Sequence, residues 1–128
     1  MIQSTQPTEI KNTNSTLRWV EDGIVHIEWK PKTDIEITDI DELEISFNVL
    51  TQGQFVCVVS DLRDFVNISI EARNYAAEKS PKLKGIAYVI SGLSQRIMLR
   101  FYIKLRKRKN PAKVFQSFDE AVEWLRTL

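Results

Sequence analysis

From residue 54 to residue 73 the chain reads Gln-Phe-Val-Cys-Val-Val-Ser-Asp-Leu-Arg-Asp-Phe-Val-Asn-Ile-Ser-Ile-Glu-Ala-Arg. An apolar run ends in Asp61, Arg63 and Asp64, and a helical stretch then opens at Ser69 and carries Arg73 one turn in. In an open α/β sheet, ligands and partners are met beyond the carboxyl ends of the strands. Acids and arginines at that place can pair with the charges of a partner. A serine opening a helix can cap it, and the same free amides and positive dipole end can hold a phosphate. A purely structural account fits the same residues. In it Asp61 caps loop amides, Arg63 pairs with Asp64 or Glu71, Arg73 turns back to Asp61, and Ser69 is only a cap.

The remaining candidates for chemistry are few. His26 is the single histidine and has no cysteine or acidic cluster beside it to make a metal site. Gly23, Gly53, Gly85 and Gly92 are isolated, so no phosphate-cradling loop exists, and no G-x-S-x-G elbow is present. Cys57 lies inside the apolar run, where it reads as a buried core thiol. These absences lead to the expectation of a non-enzymatic domain with no metal and no cofactor.

A second cluster is cationic. Arg96, Arg100, Lys104 and Arg108 recur every four residues and so share one helical face. They serve either as a solvated face that complements the helix's negative end or as a docking stripe for an acidic partner. Formal net charge is +1, and no exposed aromatics are expected to interleave the stripe, so nucleic acid is set aside as a partner. On the same helix Ile97, Phe101 and Leu105 form one face. Met98, Leu99, Tyr102 and Ile103 widen its apolar arc, through packing or through an interface that includes a homodimer.

These residues need a scaffold. Leu17–Val20 and Ile24–Trp29 flank Asp22-Gly23, a hairpin signal, after a frayed stretch at 1–8. Val25, Ile27 and Trp29 alternate with His26 and Glu28, as in a strand with one buried face. Thr38 is the expected cap of a first helix carrying Ile40, Leu43, Phe47 and Leu50, with Gly53 as its stop. Phe55–Val59 and Ile86–Ile90 read as strands buried on both faces. Between them a helix runs from Ser69 to about Lys79, stopped at Ser80-Pro81, with Ala72, Ala76 and Ala77 permitting close approach to a sheet. Ser94 is the expected cap of the third helix. Lys113–Phe115 is a last strand, and Ser117 with Glu120 matches a capping box for the final helix. Helical crossovers imply parallel pairing, with the hairpin adding an antiparallel element.

At 128 residues the chain is expected to be one α/β domain over 1–128, large enough to fold without a staple. An apolar fraction of 43% with 27% charged residues is globular composition, not that of a disordered chain. No signal-like start and no apolar run near the ~20 residues that span a bilayer point to a cytoplasmic protein without stable membrane insertion.

The element order, together with Val58-Val-Ser-Asp-Leu62 leading to Ser69, resembles the SpoIIAA-like, or STAS, domain family. Phe115-x-Ser117-x-x-Glu120-Ala121-x-x-Trp124-Leu125 is similar to the terminal strand and helix of members of that family. The resemblance runs from about Leu17 to Leu128 and implies a mixed sheet of about five strands with four helices, in the order ββαβαβαβα. It also implies a regulatory, protein-binding module. In anti-sigma-factor antagonists of the family, a phosphorylatable serine opens the second helix, and Ser69 stands near that place. Asn67-Ile-Ser69-Ile-Glu-Ala lacks the family's preceding Asp, second hydroxyl and glycine. The expected function is protein interaction through Asp61, Arg63, Asp64, Ser69 and Arg73. The alternative, implied by relatives of the Sec-fourteen type, is a small-ligand or lipid carrier with a pocket between sheet and helices.

Overall fold

A computed structural model describes residues 7–64, 66–79 and 81–128. Strand β1 (Glu9–Lys11) pairs antiparallel with β2 (Ser15–Glu21), which turns into β3 (Ile24–Trp29). Gly23 makes that turn at φ 86°, a left-handed value that costs a residue without Cβ little. The hairpin is therefore present, and β1 adds a strand just past the stretch read as frayed, of which residues 1–6 lie outside the description.

The two-residue strand β4 (Asp34–Ile35) leads into α1 (Ile37–Thr51). The helix is capped at Glu36 rather than Thr38. The Glu36 amide donates to Asp39 Oδ2 at 2.9 Å, so the acid three residues on supplies the acceptor and Thr38 is left exposed. Gln52 and Gly53 end the helix at positive φ, 51° and 81°.

Next come β5 (Cys57–Asp61), the two-residue β6 (Asn67–Ile68) and α2 (Ile70–Lys79). Strand β5 begins two residues later than Phe55, which is about half exposed, and it takes in Asp61. Strand β7 (Gly85–Val89), α3 (Leu93–Leu105), β8 (Ala112–Phe115) and α4 (Phe118–Leu125) complete the chain. Helix α3 starts after Gly92, two residues too early for Ser94 to cap it. Ser117 does cap α4, its hydroxyl accepting from the Glu120 amide at 3.3 Å. The expected stop at Ser80 lies outside the described residues.

The main sheet has six strands in the order β1-β2-β3-β5-β7-β8, parallel from β3 onward, with β4 and β6 pairing apart as a two-stranded parallel piece. Its edges, β1 and β8, are its shortest strands. Alternation divides the core between two faces. Val25, Ile27, Trp29, Val58 and Tyr88 look toward α1 and α3, while Ile24, Cys57, Val59 and Ala87 meet Ala121, Val122 and Leu125 of α4. Every residue of β5 is buried, as a parallel strand covered on both faces requires.

Candidate functional site

Asp61 lies in the last position of β5 with 3% of its surface exposed. Its carboxylate accepts from Arg63 Nε at 2.9 Å and from Arg63 Nη2 at 2.6 Å, a bidentate pair, and from the Arg63 amide at 3.3 Å. His26 Nε2 stands 3.2 Å from Asp61 Oδ2. Arg18 Nη1 lies 3.5 Å from His26 Nδ1, and Arg18 also pairs with Glu28 at 2.9 Å. Guanidiniums only donate and carboxylates only accept, so this chain assigns the Nε2–H tautomer to His26. Burial by itself would push the Asp61 carboxyl up. The hydrogen bonds from Arg63 and His26 and the charge of Arg63 override it and hold the group well below the usual carboxylate range. The ring of Phe118 packs on His26 at 4.7 Å. Both imidazole nitrogens are engaged within the protein.

Sequence reasoning left His26 out of this cluster because it assigned β3 a single buried face. Helix α4 covers the other face, and parallel register places Glu28 opposite Asp61 and His26 opposite Val59, so His26 and Asp61 share a side. Parity was the available signal: His26 alternates with Val25 and Ile27, as Asp61 does with Ser60 and Leu62.

The five residues expected to form one surface are divided between layers. Arg63 pairs with Asp61, not with Asp64 or Glu71. Asp64 is exposed at φ 66°, and its carbonyl accepts from the Lys32 amide at 2.9 Å. Ser69 caps α2 through the Ala72 amide at 3.0 Å. Arg73 does not reach Asp61; its guanidinium contacts Asn74 at 3.2 Å and lies 4.8 Å over the Phe101 ring. Helix α2 packs with α1 and α3, whereas the Asp61 side chain is on the α4 side.

Helix α3 is packed on one side only. Leu93, Ile97, Phe101 and Leu105 are exposed by 72%, 60%, 55% and 43%, while Gln95 and Leu99 are buried and Tyr102 and Ile103 pack on the core. The helix carries two apolar rows, and the inner one is chosen by Gln95. Its Nε2 donates to the Leu62 carbonyl at 2.5 Å and to the Val66 carbonyl at 3.1 Å, and its Oε1 accepts from the Ser91 amide at 3.0 Å. Arg96, Arg100 and Lys104 lie beside the exposed row. Arg108 falls past the helix end at Leu105 and so leaves the stripe's face.

Between the sheet and helices α1–α3 lies a cavity of about 420 Å³. Ile27, Trp29, Val58, Ser60, Ile86 and Tyr88 form its floor, and Leu43, Phe47, Ala76, Met98, Leu99 and Tyr102 its walls. Ile35, Asn67 and Ile68 of the β4–β6 piece close one side. Glu44 and Lys79, paired at 3.7 Å, and Lys82 lie among its polar lining. Native interiors keep few voids larger than one water, and small-molecule sites run roughly 300–1,000 Å³. This volume lies within that range. Ala76, one of the small residues of α2, is part of the cavity wall.

Among the described residues no group of three or more His, Cys, Asp or Glu is placed to hold a metal, and no helix is long and apolar enough to cross a membrane.

A mostly parallel sheet with an antiparallel hairpin, three helices on one face and one on the other, makes this a SpoIIAA-like α/β domain. The crystal structure of an uncharacterized DUF3478-family protein with a SpoIIAA-like fold from Shewanella loihica superposes with a TM-score of 0.63 at 14% identity, covering 91% of this chain and 98% of that one. At that identity the likeness shows the fold alone. The chain belongs to the family described as Domain of unknown function (DUF7793), matched over residues 18–128. A protein of unknown function from Arthrobacter sp. aligns at 21% identity over 88% of this chain and 99% of its own, but its TM-score of 0.34 carries no argument. No curated protein matches the chain.

Proposed function

We propose that this domain binds a small, largely apolar molecule in the cavity between its sheet and helices α1–α3, acting as a carrier or sensor and not as an enzyme. The observation that carries this is the cavity itself, about 420 Å³ with a mostly apolar lining. At the ~30 Å³ that one water takes up in the liquid, and with a methylene of similar size, it holds about fourteen heavy atoms. At about 0.5 kcal/mol per atom, between the limits for very small and drug-sized ligands, the affinity is on the order of 10 µM.

The alternative, protein interaction through the loop after β5, is less supported by the geometry. Asp61 is spent on Arg63 and His26 inside the protein, and Ser69 and Arg73 belong to another layer. The binding reading is tested by titrating the purified domain with the neutral fluorophore 1-aminonaphthalene, small enough for that volume, alongside Ala76→Phe, which fills the cavity from α2. Saturable one-to-one binding, lost in a folded A76F, is expected. Absent binding, or binding undiminished in A76F, overturns the proposal.

A further inference from the structure

Two hydroxyls break the apolar floor of the cavity. Ser60 and Tyr88 are register partners on the adjacent parallel strands β5 and β7, and both line the cavity. Ser60 is 9% exposed and Tyr88 5%. Among the described residues no hydrogen bond reaches either hydroxyl. The neighbouring half-buried Tyr102, edge-on to Tyr88 at 6.3 Å between ring centroids, is likewise without one.

This sets them apart from the rest of the interior. Ser15 accepts from Asn12, Thr33 donates to the Lys30 carbonyl, Ser46 to Asn12, and Thr51 to the Phe47 carbonyl. His26, Asp61, Gln95 and Arg106 are bonded as well. Buried polar side chains are almost always paired, and one left unpaired calls for an explanation. The exceptions here gather on one surface, the cavity floor. Two unpartnered hydroxyls among apolar neighbours such as Ile27 and Val58 are what recognises oxygen on an otherwise apolar molecule, since a site built to hydrogen-bond a polar group discriminates against analogues that lack it. Burial pushes the Tyr88 phenol up from its ordinary value, while Arg106 pulls the other way, so the group keeps its proton and can donate.

We infer that the ligand of this cavity is an aliphatic molecule with an oxygen acceptor at its inner end, a carboxyl or ester carbonyl, held by the Ser60 and Tyr88 hydroxyls. This deepens the proposed function and rests on the cavity being a ligand site. The acceptor end is inward, on the sheet, and the hydrocarbon tail runs outward past Leu43, Phe47 and Met98 of α1 and α3.

The test displaces 1-aminonaphthalene from the full chain with decanoate, methyl decanoate or decane, in wild type, Tyr88→Phe, Ser60→Ala and Lys79→Ala/Lys82→Ala. Wild type is expected to bind one or both oxygen-bearing probes about tenfold or more tighter than decane, the gain of one or two well-made hydrogen bonds. Y88F and S60A each lose most of that preference and leave decane within twofold, and the acid and ester arms tell a charged from a neutral head. The melting temperature of ligand-free Y88F is unchanged or raised, because a hydroxyl without a partner is removed. A merely structural role for the hydroxyl would lower it. Equal wild-type affinity for all three probes overturns the inference while leaving the cavity reading intact. So does a preference lost in the lysine variant and kept in Y88F, which would place the head at the polar lining. If no probe and no fluorophore binds, both readings fall together.

Discussion

Asp61→Asn keeps the side chain's volume and removes only its charge. In the folded chain the carboxylate faces four donors: Arg63 Nε at 2.9 Å, Arg63 Nη2 at 2.6 Å, the Arg63 amide at 3.3 Å and His26 Nε2 at 3.2 Å. An amide can keep one or two of these contacts, but its own NH₂ then points at donors. Hydrogen bonds to a charged group contribute ~1.5–3 kcal/mol each, so losing two costs up to about 6 kcal/mol. The Arg63 side chain is 40% exposed and can rehydrate, which returns about half of that, leaving about 2–3 kcal/mol. With ~2.1 cal/mol/K of unfolding entropy per residue, 128 residues lose about 7–11 °C in melting temperature. Because the folded carboxyl titrates well below the unfolded one, its contribution is complete above the ordinary Asp value near ~4. It is lost progressively as the pH falls further, through the folded value. Urea and thermal unfolding of wild type and D61N at pH 7 and pH 3 measure both effects. The gap is expected to be wide at pH 7 and narrower at pH 3. A gap below about 0.5 kcal/mol at pH 7, or one that stays constant or grows on acidification, refutes the reasoning.

Gln95→Ala removes the side chain that satisfies the Leu62 and Val66 carbonyls and is expected to cost about 2–4 kcal/mol in urea unfolding, a loss under 0.5 kcal/mol counting against its clamp role. Cys57 is 3% exposed, and burial pushes its thiol up despite the opposing charge of Lys84. Its reaction with a disulfide reagent is therefore expected to track the unfolded fraction across a denaturant series, and rapid modification of the native chain would contradict this assignment.

Much of the scaffold is legible in the sequence because its signals are local. Asp22-Gly23 requires a turn that glycine can make, Ser117 caps α4, and apolar runs separated by helical crossovers force parallel pairing. The site is less legible because it depends on register and on layers. Asp61 and His26 are 35 residues apart and meet only through the pairing of β3 with β5, which no local pattern encodes. Helix α3 has two apolar rows, and periodicity finds both without saying which is covered. The strands β4 and β6, two residues each, are too short to show any period. A cavity is a property of what side chains fail to fill, and Ala76 reads the same whether a neighbour closes on it or not.

The sheet's margins have a consequence for the chain in solution. An open sheet invites growth by strand addition, and short, charged edges discourage it. Strand β1 spans three residues with Glu9 and Lys11, and β8 spans four with Lys113 outward, so neither margin offers a long template. Self-association would then fall to the exposed row of α3, where Arg96, Arg100 and Lys104 set like charge against like charge as two copies approach. Salt screens that repulsion and leaves the apolar attraction in place. Copies of this domain should therefore crowd together as ionic strength rises, the reverse of an assembly held by ion pairs.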